Sequence, residues 1–236
     1  LNYIKQYGLN DINNYKKLEY DDNFFNKINT KEKAYMLGFM LADGCLSNDG
    51  KFIINISLSD REILDFMVDN IGGRVRESHN KDIKKRIFPY ATIKIGNNKI
   101  IRDVKMLFGG RLKEERHIPI IKKDLDLFLL QGFFDADGCI TWGYRKDRDK
   151  IWQKVSFTSQ YNLLVGIQSI LIKHNISSVI RPKQKEKCFV LETCNKSEVL
   201  KMLNLIYSDE NFIVLNRKYK KSKALRLELG EFGESS

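Results

Sequence analysis

The sequence lacks what would mark a membrane, secreted or zinc-finger protein. Its longest apolar run, Ala34 to Ala42 (AYMLGFMLA), is bounded by Lys31, Glu32 and Lys33 on one side and Asp43 on the other. Such a run falls far short of the ~20 residues needed to cross a bilayer. No basic, apolar and small-residue segments open the chain in that order, which argues against secretion, and Leu1 in place of Met fits a processed or trimmed start. The four cysteines, Cys45, Cys139, Cys188 and Cys194, form no CxxC pair, and the three histidines stand far from them. That spacing argues against a zinc site and a disulfide framework, and fits reduced thiols in a cytosol-like compartment better. Three prolines and 15 glycines exclude collagen-like and low-complexity chains.

What is present is a folding chain with a surplus of one charge. Hydrophobic residues make up 42% and charged residues 30% of 236 positions, enough for one large domain or two compact ones with a real core. Against 30 Asp and Glu stand 41 Lys and Arg, a formal net charge of +11. On a folded chain this points to a polyanionic partner, nucleic acid first and an anionic membrane second. Solubility alone would leave the same composition, so the placement of the charge has to decide.

Set Asp43 against Asp137, 94 residues on, and the chain repeats itself. Residues 35–46 (YMLGFMLADGCL) face residues 129–140 (LLQGFFDADGCI). Gly38/Gly132, Phe39/Phe133, Ala42/Ala136, Asp43/Asp137, Gly44/Gly138 and Cys45/Cys139 are identical. The likeness extends weakly beyond the motif. Ser57–Leu64 resembles Phe157–Leu164, after extra residues in the basic loop Arg145–Lys150. Ile95–Leu107 resembles Glu192–Asn204, with Asn98-Lys99 facing Asn195-Lys196.

Element types recur in the same order. A helix is expected over Glu32–Ala42, and Lys51–Ser59 alternates as a strand with Phe52, Ile54, Ile56 and Leu58 on one face. Asp60 reads as the cap of a helix through Ile71, which Gly72-Gly73 ends. Strands over Arg74–Ser78 and Ala91–Ile95 and a helix over Asn98–Phe108 complete the half. The second half offers helix 124–135, strands near 139–144 and 152–159, helix 161–173, strands 178–183 and 188–193, and helix 196–207. The expected fold class is α+β, an α-β-β-α-β-β-α repeat twice over. Residues 1–30 read as a polar, partly helical extension and 31–108 as the first repeat. Residues 109–123 form a linker punctuated by Pro119, 124–227 the second repeat and 228–236 a tail.

Each motif helix carries small residues four apart, Gly38 and Ala42, then Gly132 and Ala136, on segments that are otherwise apolar nearly all round. Such stripes let two buried helices approach closely, here about a pseudo-twofold axis. Asp43 and Asp137 then meet at two helix C-termini, where like charge and the helix dipole both disfavour carboxylates. Protonation, a cationic partner or a divalent metal must offset that repulsion. An Asp-Gly turn after a helix is by itself commonplace; its duplication with the stripes points to a metal site.

Residues 35–46 and 129–140 resemble the paired signature of the LAGLIDADG homing endonucleases in their single-chain, two-repeat form, and the resemblance covers about residues 32–220 in element order. It implies two central signature helices, flanked by antiparallel saddle-shaped sheets that straddle DNA. It also implies paired active sites that cut both strands across the minor groove. Carried over, Asp43 and Asp137 bind Mg²⁺, with Ala42 and Ala136 beside them in the metal-binding set. Two or three ions would serve the pair, and Mn²⁺ would substitute. The family places a basic residue just beyond the third helix of each repeat, here Lys113 and Lys218, with Arg111, Arg116 and Arg217 competing for the role. One departure is visible: the earlier acidic position of the motif is Asp135 in the second half and Leu41 in the first. The two sites are therefore expected to be unequal.

The polar parity of the strands is the expected DNA surface. In the first half it holds Asn55, Ser57, Ser59, Arg74, Arg76, Ser78, Thr92 and Lys94; in the second, Lys154, Ser156, Thr158, Gln160, Arg181, Lys183 and Lys185. Polar side chains of mixed length can read base edges in a major groove, while Lys and Arg hold phosphates. The runs Lys84-Lys85-Arg86 and Arg145-Lys146 with Arg148 fall in hairpin loops, within reach of backbone. The leading expectation is a monomeric, Mg²⁺-dependent, site-specific endonuclease that hydrolyses both strands of a long duplex, as in intron homing. An RNA-binding maturase or a non-cleaving DNA-binding protein on the same fold is the alternative. Abundant Asn, Ile and Lys suggest an AT-rich genome, with a bacterial or phage-host cytoplasm or an organelle matrix as the compartment.

Overall fold

The computed structural model describes residues 19–81, 83–147, 149–183 and 187–230. The first half runs α1 (Lys31–Asp43), β1 (Cys45–Leu46), β2 (Phe52–Ser57), α2 (Glu62–Ile71), β3 (Val75–Lys81), β4 (Ile87–Ile95) and α3 (Asn98–Phe108). The second runs α4 (Asp126–Asp137), β5 (Gly138–Arg145), β6 (Lys150–Ser159), α5 (Tyr161–Lys173), β7 (Val179–Pro182), β8 (Phe189–Thr193) and α6 (Lys196–Ile206). A further helix, α7 (Asn216–Glu228), follows. Each half forms one four-stranded antiparallel sheet, in the orders β1-β2-β4-β3 and β5-β6-β8-β7. The α+β architecture of two repeats around paired central helices is thus the one expected.

Local chemistry sets the boundaries. Thr30 caps α1 by accepting from the Lys33 amide, and Asn97 caps α3 by accepting from the Lys99 and Ile100 amides. Asn195 does the same for α6 through the Ser197 amide. Asn97, not Asn98, is therefore the counterpart of Asn195, and the sequence alignment there slides by one. Gly72 ends α2 at φ 83°, a conformation that a side chain would strain. Asp60 does not cap α2: it closes a 3₁₀ turn, and Arg61 holds the cap position without a side-chain bond. The Asp60 carboxylate turns instead to Arg217.

The core is continuous across both halves. Tyr35, Met36, Leu37, Phe39 and Met40 of α1 and Leu129, Leu130, Phe133 and Phe134 of α4 are buried on all sides. Their sheets pack behind them through Phe52, Ile54, Ala91, Ile93, Val155, Phe157 and Leu191. The near-absence of an amphipathic pattern in α1 and α4 follows from this position between two sheets. Of the expected extension, residues 19–30 add Phe24, Phe25 and Ile28 to that core and pair Tyr20 with Gly72. They form turns there, with no helix among them, while residues 1–18 lie outside the described residues.

Candidate active site and nucleic-acid interface

The two motif helices touch backbone to backbone. A Cβ built on Gly38 would lie 2.0 Å from the Leu129 carbonyl oxygen, and one on Gly132 would lie 2.0 Å from the Tyr35 carbonyl oxygen. Only hydrogen fits at either position. The contact brings the C-terminal ends of α1 and α4 together, and with them Asp43 and Asp137. Burial is the largest influence on both carboxyls and raises both; the charge of Asp137 raises Asp43 further, to about 6. Lys113 and Lys218 pull both down, and Arg217 also lowers Asp43, without cancelling the rise.

The lysines are placed by the same symmetry. Lys113 Nζ donates to the Ala42 carbonyl, and Lys218 Nζ donates to the Phe134 and Ala136 carbonyls at 2.7 and 2.9 Å. Each ammonium thus sits on carbonyls in the last turn of a motif helix, beside its aspartate, where the helix dipole favours a cation. The Ala42 and Ala136 oxygens are therefore already engaged by lysines. Lys218 is buried, which lowers its amine to about 8 even though Asp135, Asp43 and Asp137 pull it up. Of the competing arginines, Arg116 is buried and donates to the Leu41 and Gly44 carbonyls at 3.2 and 2.9 Å. Arg111 donates to the Ser47 carbonyl and the Asn48 amide oxygen, and Arg217 grips Asp60.

Asp135 belongs to the scaffold. It is 1% exposed and accepts from the Tyr35 and Tyr207 hydroxyls at 2.9 and 3.0 Å and from the Leu215 amide at 3.0 Å. Burial raises it to about 6, while these bonds and Lys218 hold it down. Leu41 needs no such partners, so the halves differ here in support. Asp135→Ala would leave two hydroxyls and an amide unsatisfied in the core, and is expected to cost about 3–5 kcal/mol. Denaturant unfolding of the purified variant measures this.

Among the described residues no third His, Cys, Asp or Glu joins the two motif aspartates as a metal-binding cluster. Two carboxylates without a described His or Cys partner suit Mg²⁺ and not a four-ligand Zn²⁺ site. A cation between the two would also offset the burial that raises both carboxyls and the repulsion that raises Asp43 further.

The open face of the first sheet aligns Asn55, Thr92 and Arg76 across β2, β4 and β3, with Ser57, Tyr90 and Ser78 as the next row. Lys94 faces Ile53, and Arg74 immediately precedes β3. Ser59 lies in the turn after β2, where its hydroxyl is 2.9 Å from that of Ser57. On the second sheet, Lys154 opposes Thr141, Ser156 lies between Cys139 and Glu192, and Thr158 opposes Val190, which faces Arg181. Thr92 and Ser156 are buried on these faces. Gln160 is off the sheet, at the N-cap of α5. Lys84, Lys85 and Arg86 lie in the exposed β3–β4 turn, Arg145 ends β5 opposite Lys150, and Lys146 begins the β5–β6 turn. Lys183 follows β7; Arg148 and Lys185 lie outside the described residues.

Two features are not foreshadowed by the sequence pattern. Glu192 stands on the basic face with its carboxylate 3.5 Å from both Lys154 Nζ and Arg181 Nε. Helix α7, which carries Lys218, is absent from the expected elements. Its buried side is Lys218, Ser222, Leu225 and Arg226, a helical spacing made mostly of polar residues.

Residues 124–207 match the LAGLIDADG-like domain family. No curated protein sequence matches the chain. Among solved structures, I-SmaMI bound to an uncleaved DNA target in the presence of calcium ions aligns at 12% identity and TM-score 0.57, over 86% of this chain and 93% of that one. The LAGLIDADG meganuclease I-AabMI bound to uncleaved DNA aligns at 14% identity and TM-score 0.54, over 84% and 90%. The LAGLIDADG homing endonuclease I-GzeII in complex with its DNA target aligns at 11% and TM-score 0.53, over 86% and 92%. Across both halves, the chain has the fold of the LAGLIDADG homing endonucleases.

Proposed function

We propose that the chain is a monomeric, Mg²⁺-dependent endonuclease that cuts both strands of a long, specific duplex. The observation that carries this reading is the symmetric quartet of Asp43, Asp137, Lys113 and Lys218 at two abutting helix ends. Asp43 and Asp137 would hold Mg²⁺, whose bound charge would activate water and stabilise the leaving oxygen at neighbouring scissile phosphates. Lys113 and Lys218, one beside each aspartate, would neutralise charge on a phosphate oxygen as it builds. The open sheet faces would take the duplex on either side, with Asn55, Arg76, Lys94, Lys154 and Arg181 towards the grooves and the basic turns on backbone. A maturase or a non-cutting DNA binder would not need all four members of the quartet.

The test is a selection of cleaved sites from a random duplex library, with Mg²⁺ present. One recurrent long site cut in both strands is expected; no cleavage from any duplex sinks the reading. On that site Ca²⁺ should permit binding with little cutting. Affinity should fall at least about a hundredfold between 50 and 200 mM salt if five or more phosphates are neutralised. A flat salt dependence in a filter-binding titration would exclude the basic faces as the DNA surface.

A further inference from the structure

Each active-site lysine is held from the opposite half of the molecule. Lys218, which reaches the end of α4 in the second half, directly follows Arg217. That guanidinium clasps Asp60 of the first half, Nε at 3.0 Å from both carboxylate oxygens and Nη2 at 2.9 Å from Oδ2. Asp60 is only 7% exposed while the Arg217 side chain is half exposed, so the buried carboxylate is the anchor of this charge-assisted pair. The residue before it, Asn216, donates its amide to Glu62 Oε1 at 3.1 Å and its side-chain Nδ2 to Oε2 at 3.0 Å. Lys113 has the mirrored arrangement. Its neighbour Glu114 offers a backbone carbonyl to Asn162 Nδ2 of the second half, at 3.2 Å. Glu62 and Asn162 hold matching places at the start of the second helix of each half.

We infer that Asp60 and Glu62 are positioning residues for Lys218, and Asn162 for Lys113, so that each half sets the lysine of the other half's motif helix. The inference rests on the proposed cleavage reaction and extends it to residues outside the quartet itself. The crossing is unequal. Lys218 is fixed by a bidentate ion pair and two further bonds, Lys113 by one neutral bond. Loss of Asp60 should therefore release one lysine and spare the other. A misplacement on the scale of an ångström slows a reacting site by about ten- to a hundredfold.

The experiment compares strand cutting on the selected site by Asp60→Asn, Arg217→Lys, Lys218→Met and Lys113→Met. Asp60→Asn and Arg217→Lys should accumulate nicked duplex in which the uncut strand is the one left by Lys218→Met, with target affinity unchanged. Asp60→Glu should restore the second cut in part. Asn162→Ala should leave the other strand, the one left by Lys113→Met. Equal slowing of both strands, or no slowing, would overturn the inference. A second measurement needs no cleavage: amine labelling followed by mass spectrometry should show Lys218 exposed by Asp60→Asn, with Lys113 unchanged. Unaltered labelling of Lys218 also overturns it. Absence of cutting by the unsubstituted chain would count against the endonuclease reading alone.

Discussion

Asp43→Asn should abolish double-strand cleavage, by about a thousandfold or more in rate, and at the same time raise the melting temperature of the metal-free protein. Both effects come from one cause. Asp43 is buried beside Asp137, and burial first and that neighbouring charge second push it up from an ordinary 3.8 to about 6. Between those values the folded state holds a proton that the unfolded state has lost, so this group's contribution to stability falls as pH rises through that window. Above pH 6 the whole penalty is present. The substituted amide would carry no charge and escape it, for a gain of about 3 °C near pH 7.5. Asp137→Asn should behave alike. Mg²⁺ should stabilise the unsubstituted chain at that pH and add little to either variant, because ligand binding to the folded state alone shifts the melting point. Calorimetry with and without Mg²⁺, beside cleavage of the selected site, measures both. Full cleavage by Asp43→Asn would remove Asp43 from the chemistry, and a lowered melting point would overturn the stability penalty assigned to its charge.

Much of this site was legible in the sequence because it is written as identity. Two copies of a small-residue stripe ending in Asp-Gly-Cys predict two abutting helices and two adjacent carboxylates, and sheet alternation predicts which strand residues face outward. The parts that were hidden share a physical reason. Helix α7 buries Lys218, Ser222 and Arg226, so the apolar periodicity that betrays other helices is missing from it. Asp60 sits where a helix cap is expected, and only the approach of Arg217 from 157 residues away shows that its carboxylate is spent elsewhere. Thr92 and Ser156 share the parity of the basic face, yet central-strand neighbours cover them. Alternation reports which side a residue takes, and the length of the flanking side chains then decides whether it reaches solvent.

The second large effect concerns the stripe itself. Gly38→Ala places a methyl 2.0 Å from the Leu129 carbonyl oxygen, and Gly132→Ala places one at the same distance from that of Tyr35. Backbone cannot swing aside as a flexible side chain can, so the helices must separate. The cost should be on the order of 3 kcal/mol for either change. The two sites lie on one interface, and a gap opened by the first methyl already makes room for the second. The double variant should then cost well under the sum of the singles, a coupling that equilibrium unfolding can measure. Activity should fall further than stability does. The close approach of these helices is what sets Asp43 beside Asp137, and a divalent ion held by both would tolerate little widening. Under conditions where Gly38→Ala is fully folded, Mg²⁺ dependence should shift to higher concentration and cutting should slow about a hundredfold. A folded Gly38→Ala with unchanged Mg²⁺ dependence would mean that the aspartates are positioned by something other than the close approach of these two helices.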